Sequence, residues 1–353
     1  MSRVSFVAAL AAAIACASLG ACSGESDRRP TVVLYTSADE HLAAVVIAAF
    51  EAESGVRVKR LGDTEQTKTT GLVQRLLAET DRPRADVWWS SEAMGTIKLA
   101  RLGVLAPYHP QAEAALLDGW PEGLRGEDGS WYGFALRARV IAYNTDRVSQ
   151  AQAPTTLRDL TQPRWSGRVG MARPYFGTTR GHMAAIVAAH GPDALEHWLL
   201  SMRQNALKIY DGNSAAVSAL ARGEIDVCLT DTDDVWAAQR NGWPVALAYE
   251  TPDEPASDVQ GMPSLGPLVI PNTVGLVRGG PNPGRAAQLI EFLLSERAER
   301  LIAHSDSHNV PIHAAAGAGL ERYAIPSPWR PNLIEAEAQT TEAMAICARV
   351  LGR

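Results

Sequence analysis

The sequence predicts an α/β body with a largely parallel sheet, and three observations carry that prediction. Short apolar strands alternate with amphipathic helices from residue 31 onward, helix-starting and helix-stopping residues sit between them, and the alternation resumes in the second half of the chain. Thr31 to Tyr35 forms the first apolar run. Ser37 and Glu40 then fit a capping box, Leu42, Val45, Val46, Ala49 and Phe50 recur at helical spacing, and Gly55 stops the helix before a strand starting at Val56. Leu72, Val73, Leu76 and Leu77 mark a second helix face, and "RADVWWSSE" supplies a strand from Ala85 to Trp89. Parallel sheets bind ligands beyond the carboxyl ends of their strands, which points to Thr36 to Asp39 and Ser90 to Glu92.

Further along, "GRVGMARPYFGTTRGHMAAIVAAHG" reads as strand, loop and helix, and "KIYDGNSAAVSALARGE" as a further strand and helix. "LGPLVIPNTVGLVRG" reads as a long apolar strand broken by Pro271, and "GRAAQLIEFLLSERAERLIA" as an amphipathic helix. The tail, rich in Ala, Pro and Glu, reads as short surface helices.

Composition narrows the function classes. The 353 residues carry 33 Lys and Arg against 39 Asp and Glu, and the net charge of −6 argues against nucleic acid. Arg3 precedes an apolar run from Val4 to Ala17, short for a membrane span, that leads into Leu19-Gly20-Ala21-Cys22. This resembles a lipoprotein signal peptide over residues 1–21, with lipid on Cys22 and a polar tether over 22–30. The body is then expected in the periplasm or at the cell surface, held to the membrane through that anchor alone. Cys16 falls inside the leader, which leaves Cys228 and Cys347, and their spacing leaves open whether they pair.

"CLTDTDDVW" crowds Asp231, Asp233 and Asp234 into four positions after an apolar strand. Like charges about 4 Å apart repel by ~4 kcal/mol at a surface-like dielectric. A helix starting near Thr232 would relieve this, with Asp231 as N-cap and the other two in its first turn. Residues three apart share a helix face, so Asp231 and Asp234 are expected to point together and Asp233 elsewhere, with at most two of the three lining a cleft. "GTT", Gly177 to Thr179, and "DGNS", Asp211 to Ser214, each open a helix, either as an anion cradle or as simple capping. Arg137 and Arg139 alternate on one strand and project to one face, the cleft or a salt-bridged surface.

In order and spacing, "YTSADE", "TKTTGLVQRLLAE", "ADVWWSSE", "YGFALRARVIAYNTD", "PRWSGRVGMARPYFGTT", "YDGNSAAVSALARGE", "LTDTDDVW", "LVIPNTVGLVRGGP" and "VPIH" resemble the extracytoplasmic solute-binding proteins of ABC importers, and more narrowly the ferric-ion-binding group. The resemblance runs from about Val32 to His313. It implies a periplasmic-binding-protein-like fold of type II topology: two α/β lobes, a hinge and an interlobe cleft. Crossing strands are expected near Phe134 to Ala142 and Leu268 to Val277, with residues 31–133 plus 246–280 in the first lobe and 134–245 plus 281–353 in the second. It also implies ABC permease and ATPase subunits as partners and a monomer as the working form. Members that bind bare ferric ion resemble one another in a histidine near the first turn, a glutamate after the "ADV" strand and an adjacent tyrosine pair in the second lobe. Here Asp39 stands in the histidine's place, Glu92 fits the glutamate, and Asp231 to Asp234 replace the tyrosines.

The candidates divide by sign. Asp39, Glu92, Asp231 and Asp234 would receive positive charge and form the metal set; Arg137, Thr178, Thr179 and Ser214 would receive negative charge, and Ser37 lies beside them at the first turn. A hard cation such as ferric iron with a companion anion uses both halves. So does a zwitterion such as an aminophosphonate. Iron would then be cargo, and no cofactor is expected. The absence of G-x-S-x-G, H-E-x-x-H, G-x-x-x-x-G-K and C-x-x-C argues against an enzyme, leaving only a carboxylate-pair hydrolase of Glu92 with one of the aspartates. His182, His190 and His197 read as surface or core residues rather than ligands.

Overall fold

Val32 and Leu34 alternate inward along the first strand and meet Leu42, Ala43, Val46 and Phe50 of the helix that follows. That unit is repeated through a computed structural model that describes residues 29–63, 69–116, 118–253 and 262–352. The expected leader over 1–21, and Cys22 with it, lie outside the described residues, and Thr31–Arg353 forms a compact unit of its own.

In chain order the first elements are β1 (Thr31–Thr36), α1 (Glu40–Ser54), β2 (Arg57–Gly62), α2 (Thr70–Ala78), β3 (Val87–Ser90), α3 (Ala93–Arg101), β4 (Leu105–Ala106) and β5 (Tyr132–Asn144). Then come β6 (Val169–Ala172), α4 (Gly177–His190), α5 (Pro192–Gln204), β7 (Lys208–Tyr210), α6 (Asn213–Ala221), β8 (Val227–Asp231), α7 (Thr232–Arg240) and β9 (Val245–Ala248). The chain closes with β10 (Val269–Val277), α8 (Pro283–Leu293), α9 (Glu296–Ala303), α10 (Leu333–Ala338) and α11 (Thr340–Leu351). The strand order is β2-β1-β3-β10-β5-β8-β6-β7, with β4 on β10 and β9 on β5.

β5 joins two lobes. Its residues up to Ala138 pair with β10, and those from Arg139 onward pair with β8 and β9. All thirteen of its residues are buried, so the crossing runs through the interior. On one side β1 and β3 are parallel and packed between two apolar clusters, one built on Val32, Leu34, Trp89 and Phe134, the other on Tyr35, Trp88, Ile97 and Leu105. On the other side β6 and β8 are parallel between the Ile141, Met171, Leu199 cluster and the Val140, Val217, Val235 cluster.

Several expectations change. Pro271 does not break its strand; a bulge between Pro271 and Asn272 absorbs it and β10 continues. Helix α8 packs Ala286, Leu289, Ile290 and Leu293 into the same cluster as β1, so residues 283–303 go with the first sheet rather than with the second lobe. Strand β9 pairs with β5 beside β8, which puts 246–248 with the second sheet instead of the first. The C-terminal helix is not a surface element: Ala343, Ile346, Cys347 and Val350 recur at helical spacing and enter the second lobe's core. Cys228 and Cys347 are free and buried in different clusters. No helix among the described residues is long and apolar enough to cross a membrane.

Candidate functional site

Between the lobes lies a partly open cleft, lined by Asp39 and Ser91 from the first lobe and by Arg173, Gly177, Thr178, Thr179, Asn213, Asp231, Asp233 and Asp234 from the second. Arg137 reaches it from the crossing strand. The starts of α4, α6 and α7 all border it, and Asp39 is the N-cap residue of α1. The N–H groups at these helix starts give this cleft a positive backbone potential, against which the aspartates stand.

The register of β5 against β8 sets the polar centre, because Arg139 is paired with Asp231. Arg139 Nη1 donates to Asp231 Oδ1 at 2.7 Å, Thr178 Oγ1 donates to Oδ2 at 2.7 Å, Asn213 Nδ2 donates to Oδ2 at 3.1 Å, and Arg137 Nε lies 3.4 Å away. Against the cost of burial, Arg139 and Arg137 hold the Asp231 carboxyl below its usual range. Three hydrogen bonds hold it, with the Arg137 guanidinium beside them as an ion-pair partner. Asp231 therefore organises the site, with most of its lone pairs already committed.

Asp233 differs. Its Oδ2 lies 3.4 Å from Arg137 Nη1, and its buried Oδ1 has no hydrogen-bond partner. Burial first, and then Asp234, Asp231 and Asp39, push its carboxyl up to about 8, with Arg137 opposing. Asp234 accepts from Thr230 Oγ1 at 2.7 Å and reaches back to the Asp231 N–H at 3.3 Å. One carboxylate oxygen from each of the three aspartates falls within a 4.8 Å group. The expectation that Asp233 would point away fails, since all three border the cleft. The cleft lies off the end of α7 rather than along one face, so the 100° step between neighbours hides none of them.

The remaining predicted residues separate. Asp39, Arg137, Thr178 and Thr179 line the cleft. Ser37 does not: its hydroxyl is buried in a network with Ser90 at 3.1 Å and Thr69 at 3.1 Å, and it makes no capping box with Glu40, because the helix starts with Asp39 at its cap. Glu92 does not line this cleft either. Its carboxylate caps α3, accepting from the Met94 N–H at 2.6 Å and the Gly95 N–H at 3.0 Å, and burial raises its pKa. Ser214 is exposed on α6 outside the lining, and its neighbour Asn213 takes the place expected of it. His182 is buried, with burial first and Arg139 second pushing its ring down to about 3, while His197 is exposed. Ser91 lies within the Ser90 to Glu92 strand end and Asn213 within the "DGNS" helix start, both candidate stretches; which residue of each reaches the cleft is not marked in the local sequence.

This arrangement can hold a hard cation on aspartate oxygens while a guanidinium and helix N-termini receive an anion beside it. The family described as bacterial extracellular solute-binding protein matches residues 96–324, more than half of the chain. Iron uptake protein A1 of Synechocystis is 29% identical over 280 residues, covering 77% of this chain and 73% of that protein. Among solved structures, iron-bound HitA from Pseudomonas aeruginosa is 25% identical with a TM-score of 0.74, covering 91% of this chain and 99% of that one. The apo ferric ion-binding protein A of Pasteurella haemolytica reaches a TM-score of 0.78 at 20% identity, covering 91% and 98%.

Proposed function

The chain belongs to the bacterial extracellular solute-binding protein family, and from that premise we propose that it captures ferric iron, together with a small companion anion, for delivery to an ABC permease. The observation that carries the reading is that Asp233 and Asp234 offer oxygens within 4.8 Å of one another beside the arginine-held Asp231, with Asp39 bordering the same cleft from the other lobe. Relatives named for iron uptake and iron binding agree with it. Asp39, Asp233 and Asp234 face the metal, Asp231 fixes Arg137 and Arg139, and Arg137 with the start of α4 takes the anion. The protein is a receptor and not an enzyme: what it supplies is a loaded, closed shape that the permease distinguishes from the empty one. The lobes comprise 31–138 with 269–323, and 139–248 with 340–351. Cys22 carries the lipid that holds the body outside the cytoplasm.

Titration with ferric citrate tests this. Saturable one-to-one binding is expected, and Asp39→Ala and Asp233→Asn each weaken it at least about tenfold, which corresponds to about 1.4 kcal/mol. Unchanged affinity in both variants would remove these residues from the site.

A further inference from the structure

Asp233, Trp236 and Arg240 stand at i, i+3 and i+7 on α7 and so share one stripe of that helix. The stripe begins in the cleft with Asp233. Its other two members meet the first lobe. Trp236 packs edge-on against Tyr323, with ring centroids 5.1 Å apart at 81°, and Arg240 Nη2 lies 3.1 Å from Asp306 Oδ2. The first-lobe wall is itself braced: His308 stacks on Tyr323 at 3.8 Å, the Arg322 guanidinium sits 4.5 Å from the same ring, and His41 of α1 lies 3.8 Å from Asp306. This wall follows α9 directly, and its Val310 bridges to Leu136 of β5 on the side of the strand that pairs with β10.

We propose that Trp236 and Arg240, seated on Tyr323 and Asp306, form a closure latch, so that one helix carries the ligand-reading carboxylates at its start and the lobe-locking contacts along the rest of its length. The physical consequence is coupling. A ligand that draws the start of α7 toward Asp39 holds the same face of the helix on the opposite lobe, and these contacts between the lobes slow reopening without touching the ligand. Because the ion pair is exposed and the aromatic contact half-buried, each contributes modestly, and the latch biases the lobes rather than locking them.

The test uses the full chain with Arg240→Gln, Asp306→Asn, the double variant, and the swapped pair Arg240→Asp with Asp306→Arg. Iron release from chain loaded with ferric citrate, trapped by excess chelator, is expected to quicken about 2- to 5-fold in each single variant. The double variant should be no faster than the singles, and the swap should restore slow release. Trp236→Leu should act in the same direction with an unaltered cleft. This readout rests on the ferric reading. Small-angle scattering does not: the ligand-free single variants should show a larger radius of gyration than the parent chain. If the chain fails to hold iron, the proposed cargo fails while scattering still decides the latch. Release rates and scattering curves indistinguishable from the parent's would overturn it.

Discussion

Asp231 and Asp233 are two positions apart, carry the same side chain, and are expected to fail differently. Replacing Asp231 with Asn leaves Arg139 buried at 2% side-chain exposure without its charge partner, and breaking a buried pair from one side costs about 3–5 kcal/mol. Urea unfolding should show that loss directly. Asp233→Asn removes a carboxyl that burial already disfavours as an anion, so stability should hold or rise slightly while ferric affinity falls. Equal destabilisation by the two variants would mean that Asp233 is structural as well. The cluster is visible in the sequence, whereas the different surroundings of its members are not. Residue spacing says which side chains share a helix face, but Asp231 became the hub because β8 is registered against Arg139, a fact about two strands 92 residues apart.

At the scale of elements, the same pattern recurs at α3. The position of Glu92 after the third strand was legible, and its proximity to the cleft followed from the general behaviour of parallel sheets. What was not legible is that α3 starts immediately after it, so that the carboxylate turns onto its own helix N-terminus and accepts two backbone bonds. Glu92→Ala should lower stability by about 1 kcal/mol, the usual value of a lost N-cap, and leave ferric binding within about twofold. A large loss of affinity without a loss of stability would return Glu92 to the metal site. Elements with a strong local pattern, such as α1 and the run around β10, were readable in outline. The bulge at Pro271 was not, since whether a proline ends a strand depends on which neighbour its missing N–H would have met.

The whole molecule was legible as an α/β body because alternating strands and helices demand a sheet covered on both faces, while its two lobes were implied by the family resemblance. The allocation of late segments was less so. Helices α8 and α11 are both amphipathic, and an apolar stripe does not reveal which of two cores it will join. One long-range group also gives the whole body a pH dependence. Glu250 accepts from Ser264 Oγ at 2.6 Å, and burial raises its pKa to about 7 from an ordinary 4.5. The folded chain thus holds this proton after the unfolded chain has released it. Its contribution to stability is fully present below about pH 4.5 and is lost as pH rises through 7. Thermal unfolding of Glu250→Gln should therefore fall less steeply than the parent between those limits, and parallel curves would mean that Glu250 ionises freely in the folded state.

The cleft proposed to carry ferric iron is built on carboxylates, with no tyrosine among the described residues lining it. Elemental analysis with native mass spectrometry, on protein purified without chelators, tests that proposal most directly, together with the visible spectrum of the loaded chain. One iron per chain with no phenolate-to-iron absorption band is the expected result. An organic mass in place of iron, or an intense phenolate band, would contradict it.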